Sequence, residues 1–573
     1  MAETNDTIDE TTNEAAAENG PTQREKYLSR RRYLMATGSV AGAGILAGCG
    51  QSGGGGTTTG EATTSTATST ATSTATATET NTETTQETTE ETTQQQQQDD
   101  RYTYTRQELQ QKYPGLEILV PSPPNAQAAS LSTYETFLTG TDEEYIRSHY
   151  DSPRIEGSEH TISLTGLAGE NVEITMAQLE EEFSIESVVH TMQCSGNGRS
   201  YFEPQVAGNQ WSFGAVGTAR YTGAPLSEVL EQYDVDTGEG MWLSVMGADA
   251  PEGEDVFARS IPMSKVTEDC MLAYERNGEA LTAEHGFPVR IIVPGWYGCN
   301  NVKWVDRMHV MDKMLYGPEW NGEQGRNYTH WQQSSYRIVP AQDSEPQRYE
   351  SIDVFDTYQQ MESTDRIRNA YMYGNLVKSL IGYPTQGATV SPGPAGTIEV
   401  VGVAWAGGQA VEGVEVSTDG GESFEAAEFF GPDPGSAAWR QFRYVWENPQ
   451  SGQHTVVSRA TDADGRSQPA TISGPDAGLR GIRNDQFPWN KSGYGSNAYM
   501  PESVDVTVEQ QGTAGGGTDT TTGGNTTTGT GTTTGGGTAT GSETTTGGNT
   551  NTTTSGSTTN TTTSGNGTTT GGN

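Results

Sequence analysis

The chain has few basic residues for its length. Of its 573 residues, 32 are Lys or Arg and 74 are Asp or Glu, which gives a formal net charge of −42 at pH 7. Binding of nucleic acid needs clustered Lys and Arg, so this composition argues against a nucleic-acid partner and against docking on anionic lipid headgroups. Such a charge favours solubility but destabilises the compact state unless salt screens it. The composition therefore favours a halophilic source.

Cysteine is also scarce. The chain has four, Cys49, Cys194, Cys270 and Cys299, which is too few for a disulfide framework. A bridge would have to use Cys270 and Cys299, and we expect none.

Long hydrophobic runs are missing as well. The apolar run that follows Arg30, Arg31 and Arg32 ends at Cys49, and it is too short to span a bilayer. A basic cluster before a short apolar run is typical of a signal peptide. The segment Ser29-Arg-Arg-Arg-Tyr-Leu34 resembles a twin-arginine export signal, and Leu46-Ala-Gly-Cys49 resembles a lipobox. The alternative is a chance cysteine after a signal peptide.

The signal-like N-terminal segment and the changes in composition together divide the chain into regions. We predict a twin-arginine signal peptide over residues 1–48 and a lipid anchor on Cys49, which would hold the protein at the extracytoplasmic face of the membrane. Residues 49–100 and 511–573 are rich in Thr, Ser and Gly and poor in large apolar side chains, so we expect a disordered spacer and a disordered tail. Asn-X-Thr sequons in the tail allow glycosylation.

The remaining residues form two patterned regions. Residues 101–390 mix short apolar strands with Gly and Pro turns and a few helical stretches, which predicts an α+β domain. Residues 391–510 are almost all alternating strand pattern, for example Ile398–Trp405 and Trp439–Trp446. This pattern is typical of an immunoglobulin-like β-sandwich.

One cysteine stands in a Gly-rich turn, Cys194-Ser-Gly-Asn-Gly-Arg199, after the apolar stretch Ser187-Val-Val189. A thiolate is a soft metal ligand. A cysteine near an arginine could also be a nucleophile. Taken by themselves, these residues favour a third interpretation, a buried and inert thiol.

The surrounding motifs change this balance. The Cys194–Arg199 segment resembles the molybdenum-binding motif of sulfite oxidases, sulfite dehydrogenases and assimilatory nitrate reductases. Further segments resemble the same family in the same order, from about residue 113 to 508: Asn125-Ala-Gln127, Tyr145-Ile-Arg-Ser-His149, Gly208-Asn-Gln-Trp211, Gly247-Ala-Asp249, His285-Gly-Phe-Pro-Val-Arg290, Val302-Lys-Trp304, His330–Tyr336 and Trp489-Asn490. The resemblance implies a sulfite-oxidase-type molybdopterin domain followed by a dimerisation-type sandwich, with molybdenum and molybdopterin as cofactors.

The resemblance also implies roles for individual residues. Cys194 would bind the metal. The side chains that would hold the pterin and its phosphate are Tyr145, His149, Asp249, His285, Arg290 and Lys303. The side chains that would form the substrate pocket are Arg147, Arg199, Trp211 and Tyr336. Guanidinium groups bind oxyanions bidentately, although a structural ion pair is the alternative for each arginine and a structural role is the alternative for His285.

Two segments depart from the family pattern. The family's Arg-Asn-His reads Arg147-Ser-His149 here, and its Gly-Ala-Arg/Ser reads Gly298-Cys-Asn300. The second change places Cys299 near the expected phosphate site and leaves the contacts at that site in doubt.

The resemblance implies oxidation of sulfite to sulfate by oxygen-atom transfer. The chain shows no Cys-X-X-Cys-His haem motif and no cytochrome b5-like segment, so we expect electrons to pass to an external carrier, a cytochrome or a small copper protein. The second domain favours a homodimer. Two alternatives stay open: a reductase of nitrate, chlorate or a sulfoxide on the same scaffold, and a cofactor-free surface binding lipoprotein.

Overall fold

The computed structural model describes residues 100–315, 326–339, 370–479 and 481–510. The predicted signal peptide, the lipid anchor at Cys49, the spacer up to residue 99 and the tail lie outside the described residues. The chain divides into a unit of residues 1–511, which contains every described residue, and a unit of residues 512–573. Within the described ranges, no helix is long and apolar enough to cross a membrane.

The α-helices of the described residues are short. They are α1 (Arg106–Lys112), α2 (Met176–Glu181), α3 (Leu226–Gln232) and α4 (Met263–Asp269). The first two begin with capping boxes, because the hydroxyls of Thr105 and Thr175 accept from the backbone N–H groups of Glu108 and Gln178, whose side chains accept in return.

Strands make up most of the fold. The strands up to residue 311 are β1 (Arg101–Tyr102), β2 (Leu116–Pro121), β3 (Pro124–Ala128), β4 (Ile146–Arg147), β5 (Ser152–Pro153), β6 (Thr161–Gly166), β7 (Val172–Thr175), β8 (Glu186–Gln193), β9 (Val216–Pro225), β10 (Trp242–Gly247), β11 (Ala258–Pro262), β12 (Met271–Arg276), β13 (Glu279–Ala280), β14 (Arg290–Ile292) and β15 (Val305–Met311). The later strands are β16 (Arg337–Ile338), β17 (Ala370–Tyr371), β18 (Lys378–Tyr383), β19 (Thr389–Val390), β20 (Thr397–Trp405), β21 (Val411–Ser417), β22 (Glu425–Ala426), β23 (Glu428–Phe430), β24 (Arg440–Glu447), β25 (Gly452–Asp462), β26 (Thr471–Ile472), β27 (Gln486–Phe487) and β28 (Val504–Val508).

Two sheets build the N-terminal part. One has the order β11-β10-β15-β6-β7, with β15 parallel to β6 and the other pairs antiparallel. The other has the order β13-β12-β9-β8, with β14 also paired to β12. In this second sheet β8 and β9 pair over the full length of β8, from Glu186 opposite Gly223 to Gln193 opposite Val216. The ladder ends directly before Cys194, so it sets the position of that residue.

Two further sheets, β18-β20-β24-β23 and β19-β28-β25-β21-β22, form the C-terminal part. Alternating side chains from both sheets, including Val400, Phe442 and Val456, bury a common core. The predicted α+β domain followed by a β-sandwich is therefore confirmed. The sequence predicted that the second domain begins at residue 391, and the pairing of β18 with β20 places Lys378–Tyr383 in its sheet as well.

The sandwich contacts the strand that carries Cys194. The indole N–H of Trp405 donates to the side-chain oxygen of Gln193 at 3.0 Å. On the same strand, the backbone N–H of Thr191 donates to Ala437 and its hydroxyl accepts from the N–H of Trp439. Strand β8 is thus held on one edge by β9 and at its end by the sandwich.

Candidate active site

A cavity opens at the end of β8, with about 670 Å³ of empty space that includes its opening to solvent. Nine of the eleven residues named from the sequence line it: Tyr145, Arg147, His149, Cys194, Asp249, His285, Arg290, Lys303 and Tyr336. The tertiary structure therefore brings together side chains that are spread over almost two hundred positions of the chain.

Cys194 lies in a tight turn and lines this cavity. Its backbone N–H donates to Ala215, and its carbonyl accepts from the N–H of Asn197. The side-chain oxygen of Asn197 accepts in turn from the N–H of Ala215 at 3.0 Å, and Gly198 adopts a φ of 84° that favours glycine. The thiol is free and 7% exposed, so the turn presents it to the cavity in one orientation.

Three basic side chains of the cavity wall donate to uncharged oxygens. Arg290 donates to the carbonyls of His285 and Asn301, both at 2.9 Å. Lys303 donates to the hydroxyl of Ser148 at 2.9 Å and to the carbonyl of Glu284 at 2.7 Å. Arg147 donates to the Ser148 carbonyl and to a side-chain amide. Burial and the neighbouring Arg290 hold the pKa of Lys303 well below its usual range. An anionic ligand would favour the charged form of Lys303 and pair with the two guanidinium groups, so the site suits such a ligand.

The two glutamates of the cavity wall do not offset this charge, because each is bound to a cation behind the wall. Glu144 pairs with Arg276 at 2.6 Å, and Glu284 pairs with Lys112 at 2.7 Å. Burial would raise the pKa of Glu284, but Lys112 and the hydroxyls of two tyrosines outweigh that effect and lower the pKa to about 2.

Two polar groups of the cavity wall have no protein partner. Oδ1 of Asp249 and Nε of Arg290 are fully buried and make no hydrogen bond with the described residues. Burial raises the pKa of Asp249 to about 6, although Lys303 lowers it. Buried polar groups are normally hydrogen-bonded. An unpaired acceptor and an unpaired donor, together with the cations and the thiol, fit a polar anionic cofactor such as molybdopterin.

The described residues contain no group of three or more His, Cys, Asp or Glu side chains that could hold a metal ion. A metal bound to Cys194 would therefore need its other ligands from a cofactor. Molybdopterin has two sulfurs that can serve as such ligands, so this donor set also fits the predicted cofactor.

Burial disfavours the charged form of both histidines of the cavity. Burial, reinforced by Arg147, lowers the pKa of His149 well below its usual value, and burial with Arg276 lowers the pKa of His285 to about 3. His285 Nδ1 lies 2.7 Å from the hydroxyl of Thr282.

An aromatic group holds His149 in place. Its ring contacts Phe257, at 4.7 Å between centroids, and Trp331, at 4.0 Å. Its Nε2 lies 2.7 Å from the hydroxyl of Tyr336. Burial raises the pKa of Tyr336, so its hydroxyl stays protonated.

The remaining two predicted residues do not line the cavity. Arg199 lies behind the Cys194 turn, where Nε donates to Ser492 and Nη1 to Asn209. Its acceptors are backbone carbonyls, and it forms no ion pair with the residues that the structure describes. Trp211 is fully buried and packs in the same hydrophobic cluster as Cys194. It therefore supports the Cys194 turn instead of forming a wall of the cavity.

Other lining residues were not named as site residues from the sequence. Among them are Met192, Phe257, Asn301 and Trp304. Each lies beside or between recognisable motifs, but nothing in its own residue type distinguishes it from a core residue. Cys299 lines the same cavity, and burial raises the pKa of its thiol to about 11.

Comparison with known protein families identifies both parts of the chain. The oxidoreductase molybdopterin binding domain matches residues 149–318, and the Mo-co oxidoreductase dimerisation domain matches residues 370–487. Among solved structures, the sulfane dehydrogenase SoxCD from Paracoccus pantotrophus is similar, with a TM-score of 0.52 and 24% identity over 70% of this chain and 91% of that chain. This likeness concerns the fold.

Individual relatives cover much of the chain. Sulfite oxidase from Gallus gallus is 31% identical over 371 residues, which are 62% of this chain and 74% of that protein. Mitochondrial sulfite oxidase from Homo sapiens is 30% identical, over 62% of each protein. An NADH nitrate reductase from Brassica napus is 30% identical over 51% of this chain but only 31% of its own length. The predicted cofactor and enzyme class are thereby confirmed, and the chain belongs to the sulfite oxidase family of molybdopterin-dependent oxidoreductases.

Proposed function

We propose that this enzyme oxidises sulfite to sulfate and passes the electrons to a separate one-electron carrier. The main observation behind this proposal is the composition of the cavity wall. The thiol of Cys194 lines the cavity together with three basic side chains, Arg147, Arg290 and Lys303, which donate hydrogen bonds to uncharged oxygens. The relatives named sulfite oxidase support the same substrate. When bound, the molybdenum cofactor supplies the chemistry of oxygen-atom transfer.

The protein's contribution is to bind and orient. Cys194 provides a thiolate ligand from a rigid turn. Asp249 and Arg290 offer an unpaired acceptor and an unpaired donor to the pterin, and Lys303 adds a positive charge for its phosphate. Asp249 and Arg290 would each gain a hydrogen bond that the described residues do not provide, and Lys303 would gain an anionic partner. These gains favour binding of the cofactor.

Two further residues serve the substrate. Arg147 borders the cavity with a guanidinium that binds a compact oxyanion better than a neutral sulfoxide. Tyr336 keeps its proton because burial raises its pKa, and it can donate this proton in a hydrogen bond to a substrate oxygen when Nε2 of His149, 2.7 Å away, carries a proton and donates to the hydroxyl.

Metal analysis and a sulfite assay test this proposal, with Cys194→Ser as the informative variant. We expect stoichiometric molybdenum and pterin in the purified enzyme and sulfite-dependent reduction of an artificial one-electron acceptor. Cys194→Ser should remove this activity, because serine offers molybdenum a harder and less suitable ligand.

The matched control is Cys270→Ser. Cys270 is also a buried thiol, and it contacts the Lys265 carbonyl away from the cavity, so this variant should keep molybdenum and activity. A well-folded, molybdenum-loaded enzyme without sulfite turnover would refute the substrate assignment.

The second candidate is nitrate reduction on the same scaffold. The similarity to the NADH nitrate reductase favours it specifically, and Arg147 suits nitrate as well as sulfite. Assays with a reduced dye against nitrate, chlorate and a sulfoxide separate this activity from sulfite oxidation.

We further propose that the enzyme works as a homodimer outside the cytoplasm, anchored by a lipid on Cys49, and that its electron acceptor is a cytochrome or a small copper protein. The dimerisation-domain match supports the homodimer, and the twin-arginine and lipobox patterns support the location. Replacing Cys49 with Ala should release the exported enzyme from membranes, and a variant that stays membrane-bound would contradict lipid anchoring. A monomeric mass in light scattering would contradict the homodimer.

A further inference from the structure

The first elements of the described fold lie behind the cavity wall. Residues 101–113, here called the N-terminal strap, contain β1 and α1. Leu109 and Tyr113 of the strap pack with residues of β2, β3 and β4 in a small hydrophobic cluster, apart from the large cores of the two domains. No residue of the strap lines the cavity. The strap can therefore act on the site only through the side chains and backbone that form the wall.

One end of the strap holds the side of the cavity that carries Asp249. Nη1 of Arg101 donates to the backbone carbonyl of Asp249 and, at 3.2 Å, to that of Asp151. Strand β1 pairs with β5, and the guanidinium carbon of Arg154 lies 3.9 Å from the ring centroid of Tyr102. The docking of β1 thus fixes the backbone at Asp249.

The other end of the strap converges on the carboxylate of Glu284. Nζ of Lys112 lies 2.7 and 2.9 Å from its two oxygens, and the hydroxyls of Tyr104 and Tyr113 donate to it as well. The side chain of Glu284 is fully buried, whereas that of Lys112 is 38% exposed. Every hydrogen bond that the described residues make to this carboxylate comes from the strap.

Glu284 belongs to the 3₁₀ turn Ala283–His285, which also holds the inner side of the wall. The carbonyls of this turn accept from three side chains that line the cavity: Lys303 at 2.7 Å, Trp304 at 2.8 Å and Arg290 at 2.9 Å. The same turn is therefore bound to the strap by its carboxylate and to two cations of the cavity by its backbone.

From this arrangement we infer that the N-terminal strap is a clasp for the molybdenum cofactor: while docked, it fixes the backbone at Asp249 and the Ala283–His285 turn, and so slows release of the bound cofactor. When the strap detaches, Glu284 loses its partners and the turn loses its outer support. A segment that buries few apolar contacts opens more readily than the core of a domain. The inference concerns retention of the cofactor and does not depend on which oxyanion the enzyme turns over.

Amide hydrogen exchange of the wild-type protein tests the clasp without a substitution. Coupling between two sites is reciprocal, so a strap that tightens binding of the cofactor is itself tightened by the cofactor. We expect the amides of α1 to exchange about tenfold more slowly in the molybdenum-loaded enzyme than in the cofactor-free protein. Strand β24 of the sandwich is the reference, and its exchange should change by less than about twofold.

Lys112→Met tests the end of the strap that is bound to Glu284. The substitution keeps the aliphatic stem and leaves the buried carboxylate without its cation, so molybdenum and pterin should leave the purified holoenzyme about tenfold faster. Gel filtration at timed intervals, followed by metal and pterin analysis, gives the rate. The matched control is Arg459→Met on the sandwich, which removes an ion pair of the same 2.7 Å with Glu415 and should leave the rate unchanged.

The outcomes decide the role of the strap. Slower exchange of α1 on loading, together with faster release from Lys112→Met, supports the clasp. Equal exchange of α1 in the loaded and cofactor-free protein, or a release rate within about twofold of wild type, overturns it. Protection of β24 as large as that of α1 also overturns it, because the cofactor then stabilises the whole fold. None of these measurements uses sulfite turnover, so the clasp and the proposed function fail separately.

Discussion

At the scale of single residues, the cavity holds groups that are costly in the absence of a ligand. Asp249 is the clearest case, because its carboxylate is 3% exposed and Oδ1 has no hydrogen-bond partner among the described residues. Burial raises its pKa from 3.8 to about 6, in spite of Lys303. A buried carboxylate without a full set of partners destabilises the fold, so we interpret Asp249 as a residue retained for the cofactor.

The pH dependence of stability tests this interpretation in cofactor-free protein. The raised pKa means that the folded state binds the proton more tightly than the unfolded state, so the contribution of Asp249 to stability is fully present below pH 3.8 and is lost as the pH rises through about 6. Asp249→Asn should therefore become more stable than wild type over this window, by about 1–3 kcal/mol above pH 6.

Chemical unfolding from pH 4 to pH 7 measures the difference. Asp306, whose pKa burial also raises to about 6, is present in both proteins, but the charge of Asp249 contributes to that rise, so part of the measured difference comes from Asp306. A difference that stays constant across this pH range would show that Asp249 does not titrate as described.

At the scale of elements, the site depends on how the sandwich is attached. Strand β18 and the turn before β28 are joined by a buried ion pair, with Lys378 Nζ 2.7 Å from Glu502 Oε1. Tyr201, close to the Cys194 turn, donates its hydroxyl to the other oxygen of Glu502 at 3.2 Å. One carboxylate therefore connects both sheets of the sandwich to the segment that follows the metal-binding turn.

Breaking the Lys378–Glu502 ion pair should lower the stability of the folded protein. Glu502→Gln leaves the Lys378 charge buried without its partner, so we expect the free energy of unfolding to fall by about 3 kcal/mol. Urea or guanidinium unfolding measures the loss.

The control is Glu428→Gln, which removes an exposed pair with Arg443 at 3.4 Å and should change stability by less than about 1 kcal/mol. Equal effects of the two substitutions would contradict a structural role for the Lys378–Glu502 pair.

At the scale of the whole molecule, the dominant property is charge. A net charge of −42 repels itself, and salt shortens the range of that repulsion from about 10 Å at 0.1 M to about 3 Å at 1 M. Yet the cavity wall carries three cations. A positive site in a negative protein concentrates anionic ligands locally, which fits an anionic cofactor and an oxyanion substrate.

We predict that added KCl stabilises the protein. The unfolding temperature should rise by several degrees between 0.1 and 2 M KCl, because screening removes more repulsion from the folded than from the expanded chain. Calorimetry across this range, with sucrose as an uncharged control solute, measures the effect. An unfolding temperature that is constant or falls with KCl would contradict the prediction of a halophilic protein.

The sequence alone predicted the fold class, the cofactor and nine residues of the cavity wall. The fold class rests on local patterns such as the alternating strands of the sandwich, which neighbouring residues form. The cofactor and the site residues rest instead on the resemblance of ordered motifs, such as Cys194–Arg199 and His285–Arg290, to the sulfite oxidase family, because the residues by themselves favoured an inert thiol.

Only the tertiary structure decided the rest. It placed Trp211 in the core behind Cys194 and bound Arg199 to the backbone carbonyls of Asn209 and Ser492. It also brought Tyr494, three hundred positions further on, beside the metal-binding turn. The direction in which a side chain points, and which distant segment it meets, depends on how the sheets pack. That packing is set by the burial of the whole core and leaves no mark on the residues nearby in sequence.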